Sequence, residues 1–382
     1  MAMRSKTKEL LWFWGLLLAT LLTTTLAGMM WTTGKSLFAA ADGTFTWPQP
    51  TLGDWIAGLQ YSIPFLGILS VHEFAHYITA RRYGIATTLP RYIPLWFFDL
   101  PTIGTLGAFI RIKEPMQSRK QFFDVGIAGP LAGFVAALAV LLYGFTHLPP
   151  PEYIFKIHPE YSVYGAEYAQ HVYKNVPGLF GIGDNLLMIL MKNWLVTEPS
   201  RMPNPYELIH YPYLFAGFLA LFFTALNLIP IGQLDGGHVL YGFTGAGTFN
   251  RIVPYIFTLF ILYAGIGVLQ PKSSGEDIWW QMCLYLLYLW FVYSKVFQNT
   301  IQWLQAILGT FVLHYSVGYF LPAWEGSISY LVFGLVLSRF LGIYHPATSK
   351  EEPLSRMQMV LGIIAFFVFI VSFTPHPFIE GR

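Results

Sequence analysis

The sequence predicts an all-α polytopic membrane protein of about eight or nine transmembrane helices, with a small membrane-re-entrant β-strand or hairpin beside its chemically active residues. Three observations predict it. The 382 residues are 55% hydrophobic, 18% aromatic and only 11% charged, with a mean hydropathy of +0.51; soluble domains are far more polar. Runs of roughly twenty apolar residues recur along the chain. One short stretch, Gly104 to Lys113, alternates with a period of two instead.

Composition also excludes. Lys and Arg number 22 against 20 Asp and Glu, so there is no basic surface for nucleic acid and no acidic tail. Cys283 is the single cysteine, which removes an internal disulfide framework and any multi-cysteine zinc or iron–sulfur site. A metal here must be held by His, Asp or Glu.

The apolar runs lie near residues 10–31, 56–80, 121–147, 209–231, 252–270, 278–298, 300–321, 326–344 and 357–374. The last four are closely spaced, hence the count of eight or nine. Arg4, Lys6 and Lys8 precede the first run, which is long enough to be a retained span rather than a cleaved signal. Arg81, Arg82 and Arg91 follow the second, and Arg111, Lys113, Arg119 and Lys120 precede the third. Basic loops stay inside, so all of these fall on the cytoplasmic side, and a bacterial inner (plasma) membrane is the expected setting.

Segments 32–55 and 148–208 are then outside. The longer one carries an apolar patch from Leu186 to Val196, too short to span and read as an interfacial helix. Residues 1–55 form an added N-terminal span and loop, 56–245 the membrane core that includes loop 148–208, and 246–378 a C-terminal helical region. Ile379-Glu380-Gly381-Arg382 matches a factor Xa recognition sequence and is read as a remnant of expression, outside the biology.

The chemistry begins in the second span with His72-Glu73-Phe74-Ala75-His76. On a helix, positions i and i+4 share a face, so His72 and His76 can offer ring nitrogens to one Zn²⁺. Glu73 projects beside them, placed to take a proton from a water. Two imidazoles and a carboxylate are costly inside a bilayer and persist there when they bind an ion, pair or line a wet cavity. His76 stands five residues before Arg81, roughly 7–8 Å along a helix, so the site lies near the cytoplasmic boundary.

A catalytic zinc generally takes three protein ligands and keeps one position open. The missing carboxylate comes from Asn227-Leu228-Ile229-Pro230-Ile231-Gly232-Gln233-Leu234-Asp235-Gly236-Gly237-His238 at the end of the fourth span. Pro230 and Gly232 break the helix, Gly236 and Gly237 permit a tight turn, and Asp235 can then face the bundle. Asp235 is assigned as the third ligand, with His238 the competitor for that place or an outer partner of the metal.

These two motifs, in this order and about 150 residues apart, resemble the site-2 protease family of intramembrane zinc metalloproteases. The resemblance covers about residues 56–245. It implies hydrolysis of a peptide bond within or near a transmembrane helix of a membrane-protein substrate. It also implies one catalytic zinc on His72, His76 and Asp235, Glu73 as general base and acid, and Asn227 as a group holding substrate or the developing oxyanion. The chain departs from some familiar members: neither outside loop has room for a PDZ-like domain of ordinary size.

Between the motifs, Gly104-Thr105-Leu106-Gly107 opens the alternating stretch. Non-helical backbone at membrane depth survives only when buried in protein or lining a water-filled cavity. A free strand edge there can pair with an extended peptide, and the glycines allow close approach, so residues 104–107 are the expected substrate clamp. The resemblance points the same way; a plain cytoplasmic hairpin is the bland alternative. Gly126, Gly129 and Gly133 open the third span and read as close helix packing. The remaining histidines, His147, His158, His171, His210, His314, His345 and His376, lack paired spacing and read as surface or interfacial. A zinc transporter or membrane metal sensor with the same ligands is the competing class; it would distribute ionisable groups along several spans.

Overall fold

The computed structural model describes residues 2–39, 44–100, 102–174, 176, 179–272 and 275–380, with the side chains of 2–6, 276 and 380 left aside. Pro101, Gly381, Arg382 and the side chains of Arg4 and Lys6 lie outside that description. Eleven helices are present among the described residues: α1 (Ala2–Thr33), α2 (Leu52–Arg82), α3 (Arg119–Thr146), α4 (Tyr153–Ile157), α5 (Leu186–Leu195), α6 (Pro212–Leu228), α7 (Asp235–Ala264), α8 (Ile278–Tyr293), α9 (Thr300–Phe320), α10 (Ile328–Val336) and α11 (Arg356–Ser372). Each of the nine apolar runs contains one. Three stretches, Thr7–Thr33, Arg119–Thr146 and Asp235–Ala264, are long and apolar enough to cross a membrane by length and composition.

The helix starts follow local chemistry. Thr51 and Asp54 form a reciprocal capping box at α2, Ser118 and Gln121 at α3, and Ser355 and Gln358 at α11, each satisfying two otherwise orphaned amides. Pro212 opens α6, where its missing N–H costs nothing. Helix α7 is two helices joined at Gly245, whose φ of 75° breaks the α geometry. The Arg119 guanidinium donates to the carbonyls of Gly242 and Phe243 at 2.6 Å each, capping the first half.

Helices α1, α2, α3 and α6 pack closely because glycines remove side chains at the crossings. A Cβ on Gly28 would lie 2.8 Å from the Gly58 carbonyl, and one on Gly217 would lie 2.5 Å from the Leu141 side chain. Inside, Tyr61, Phe65, Phe215, Phe218, Phe249 and Phe257 belong to one continuous core. Outside, Trp279, Trp280 and Leu284 of α8 and Ile363, Phe366 and Phe367 of α11 are exposed. So much uncovered apolar surface suits lipid rather than water, and the chain is a membrane protein.

Two antiparallel strand pairs complete the fold. β1 (Arg91–Pro94) pairs with β2 (Thr105–Phe109) through Arg91↔Phe109, Tyr92↔Ala108 and Pro94↔Thr105, a two-stranded antiparallel pair packed beside α1 and α2. β3 (Phe180–Ile182) pairs with β4 (Phe378–Glu380). The tail residues 379 and 380, read from the sequence as part of an expression remnant, pair here with loop 148–208. The pairing needs both segments, about 200 residues apart, and Phe180 stacks on Phe378 with ring centroids 5.1 Å apart. The apolar patch of that loop is helix α5, with Met188 and Met191 buried and Trp194 exposed.

Candidate metal centre

His72 and His76 lie one turn apart on α2, and Asp235 is the first residue of α7. The tight turn before α7 brings the carboxylate to them. A Cβ on Gly237 would meet the Ile231 carbonyl at 2.8 Å, and one on Gly236 the Ile229 carbonyl at 2.8 Å; only glycines let the chain fold back so closely. Gly232 turns with a φ of 61°, a conformation that favours glycine.

The three donor atoms form a near-regular triangle. His72 Nε2 and His76 Nε2 are 3.0 Å apart, and each lies 3.4 Å from Asp235 Oδ2. Tetrahedral Zn²⁺ with bonds of about 2.0–2.1 Å sets its ligand atoms about 3.3 Å apart, so this set fits the metal. His76 Nδ1 donates to the Val125 carbonyl at 2.6 Å, which fixes the tautomer and leaves the Nε2 lone pair for the ion. All three residues border a cavity of about 270 Å³, and both histidines are buried.

Glu73 is buried beside the triangle but outside the donor set. It shares the cavity wall with Ile110. The chain after Ile110 bonds towards the preceding loop: the Thr88 amide donates to the Arg111 carbonyl at 3.0 Å and the Lys113 amide to the Ala86 carbonyl at 2.8 Å. Ala108, Phe109, Ile110 and Ile112 line the cavity. The segment facing the metal centre is therefore 108–112.

Gly104 to Gly107 lie elsewhere. Gly104 packs on α1, where a Cβ would lie 2.7 Å from the Thr24 amide nitrogen and closer still to its Cα. The Thr105 hydroxyl donates to the Ile93 carbonyl at 2.7 Å. Leu106 is exposed, and Gly107 has open space around its Cα. None of the four lines the cavity, whereas Asn227 and Gln233 do.

The glycines of α3 are placed against the ligands. A Cβ on Gly129 would collide with His76 Nε2, one on Gly133 would lie 3.1 Å from His72 Nδ1, and one on Gly126 would lie 2.6 Å from His238 Cβ. The small-residue stripe thus makes room for imidazoles, not only for another helix.

His238 lines the cavity yet stands outside the donor set. Its Nδ1 donates to His345 Nε2 at 2.9 Å, because His345 Nδ1 donates to the Pro346 carbonyl at 2.8 Å. Asn250 holds the His345 backbone from both sides, at 2.9 Å each, and the His345 ring stacks on Tyr241 at 3.9 Å. His345 was read as a surface or interfacial residue, and so were His314 and His210. All three are buried. His314 bridges the Tyr285 hydroxyl (2.6 Å) and the Leu262 carbonyl (2.8 Å). His210 joins His158 and Glu207 in a second cluster. His147, His171 and His376 are exposed as expected.

The family model described as Peptidase family M50 matches residues 60–271. The chain is 29% identical over 238 residues to "Probable zinc metalloprotease EGY2, chloroplastic" of Oryza sativa subsp. indica, covering 60% of this chain and 36% of that protein. It is 26% identical over 290 residues to "Probable zinc metalloprotease EGY1, chloroplastic" of Arabidopsis thaliana, covering 73% of this chain and 46% of that protein. The chain thus spans less than half the length of these curated relatives. No solved structure matches it.

Proposed function

The chain belongs to Peptidase family M50, the site-2 protease family, and we propose that it is an intramembrane zinc metalloendopeptidase cleaving within or near the transmembrane segments of membrane proteins. The observation that carries this reading is the His72–His76–Asp235 triangle with Glu73 buried next to it on the wall of the same cavity. A binding or transport site has no need of a buried carboxylate beside the donor set and outside it.

Bound at the triangle, zinc would polarise the scissile carbonyl and acidify a water. The chain's own groups supply the rest. A Glu73 carboxylate oxygen takes the proton of the attacking water and returns it to the leaving amine nitrogen. The Asn227 amide, on the cavity wall and without a hydrogen-bond partner among the described residues, donates to the carbonyl oxygen as negative charge develops there. The edge carrying Ala108, Ile110 and Ile112 pairs with substrate held in extended form, exposing carbonyls that a helix conceals.

Lys8, Arg91 and Lys113 border one cavity beside the hairpin, at the end of α1 nearest the metal centre. This supports a cytoplasmic-facing site; the span count of eight or nine and a bacterial plasma membrane remain proposals from the sequence. The test is cleavage of single-span substrates by purified protein, wild type against Glu73→Gln, with cut sites read by mass spectrometry. Loss of cleavage by at least about 100-fold with zinc retained supports the assignment; zinc flux into liposomes without cleavage would favour transport.

A further inference from the structure

A second donor cluster lies in the long loop and just before α6, near the C-terminal end of α1. His158 Nε2 and His210 Nε2 are 3.2 Å apart, and Glu207 Oε2 lies 3.4 Å from His210 Nε2 and 3.6 Å from His158 Nε2. These spacings are close to the tetrahedral edge of about 3.3 Å that suits zinc. His210 and Glu207 are buried to 4% and 3% exposure. From these residues we propose a second zinc site, distinct from the catalytic one, formed by His158, Glu207 and His210.

Two of the donors are oriented by a neighbour. His158 Nδ1 donates to Glu160 Oε1 at 3.2 Å, leaving its Nε2 to accept or to bind a cation. The Tyr173 hydroxyl donates to Glu207 Oε1 at 2.6 Å and orients the carboxylate. Glu207 Oε2 is buried and has no hydrogen-bond partner among the described residues. The Tyr153 hydroxyl anchors the His210 carbonyl at 2.9 Å.

A metal-free cluster leaves a problem that an ion removes. A hydrogen bond between the two imidazoles leaves Glu207 Oε2 facing both ring nitrogens, at 3.4 and 3.6 Å, without a hydrogen bond of its own among the described residues, a costly state for a buried carboxylate oxygen. One divalent cation engages all three donors together. Two imidazoles with one carboxylate select zinc over magnesium or calcium, which prefer oxygen ligands. The cluster opens onto a cavity of about 650 Å³ walled by Trp31, Phe180, Phe215 and Phe378. Its ligands come from residue 158 and from residues 207 and 210, so the ion closes loop 158–207 on the start of α6. That is a stapling role, since ordering a long loop is where metal binding adds most to folding.

The test uses the full chain in detergent, stripped of metal, reloaded with Zn²⁺ alone and assayed for zinc per chain. Two zinc ions in the wild type are expected, one in His76→Ala, and one in each of Glu207→Gln and His158→Ala. His158 is half-buried on the loop, so its variant decides the matter if Glu207→Gln fails to fold. In the Glu73→Gln background, metal removal should also speed tryptic cutting at Lys156 and Lys174, and His158→Ala should show that fast cutting with zinc present. A wild type with one zinc that His76→Ala abolishes overturns the proposal. So do two zinc ions retained in His158→Ala.

Discussion

The imidazole of His76 stands directly against the backbone of Gly129, with no space for a side chain between them. A Cβ on Gly129 would lie 2.5 Å from Cε1 and closer still to Nε2, the nitrogen offered to the metal. The same ring is held from its other side by the Val125 carbonyl. Helix α3 therefore fixes the ligand by a hydrogen bond and by a missing methyl group.

Gly129→Ala should consequently act as a metal-site mutation although residue 129 binds nothing. The new methyl pushes the ring off its position, and zinc affinity should fall by about 10–100-fold, the range seen when ligand orientation is disturbed. Gly133→Ala, with a Cβ contact of 3.1 Å to His72 Nδ1, should cost less. Competition against a chelator of known affinity measures both; equal affinities for Gly129→Ala and wild type would show that α3 does not set the ligand geometry.

Asp235→Ala removes the only carboxylate from the donor set and leaves two imidazoles, one ligand short of a normal zinc site. Zinc affinity at this site should drop by more than about 100-fold, and cleavage with it. The contrast with Glu73→Gln separates the two carboxylates, since that variant keeps the three donors. Zinc held by Asp235→Ala at wild-type affinity would take Asp235 out of the ligand set.

The parts of this site that could be read in the sequence are those whose geometry is local. His72, Glu73 and His76 fall on one helical turn by spacing alone; turn chemistry leaves Asp235 and His238 in competition, and the family resemblance favours Asp235. The clamp segment was half legible: alternation identifies the faces of a strand, but not which stretch runs past the metal, and the cavity is lined by Ala108, Ile110 and Ile112 rather than by Gly104 to Gly107. His238 with His345, and His158 with His210, are joined across 107 and 52 residues. No periodicity spans such gaps. These pairs exist because loops fold back onto the bundle, which composition and pattern do not encode.

His345 gives the C-terminal region a measurable stake in the catalytic core. Its Nε2 accepts the Nδ1 proton of His238, whose ring lines the metal cavity three residues after Asp235. His345→Ala leaves that buried donor without an acceptor, a cost of about 1–3 kcal/mol, and frees a side chain at the cavity wall. Turnover should fall by about 10-fold with KM little changed, because the disturbed group lies on the α7 turn that positions Asp235 rather than on the substrate edge. His345→Gln, which still offers an acceptor, should recover most of the loss. Thermal unfolding and steady-state cleavage of the three proteins test the link. If His345→Ala loses stability but keeps full turnover, the C-terminal contact is packing alone; if Gln and Ala behave alike, the hydrogen bond to His238 is not what matters.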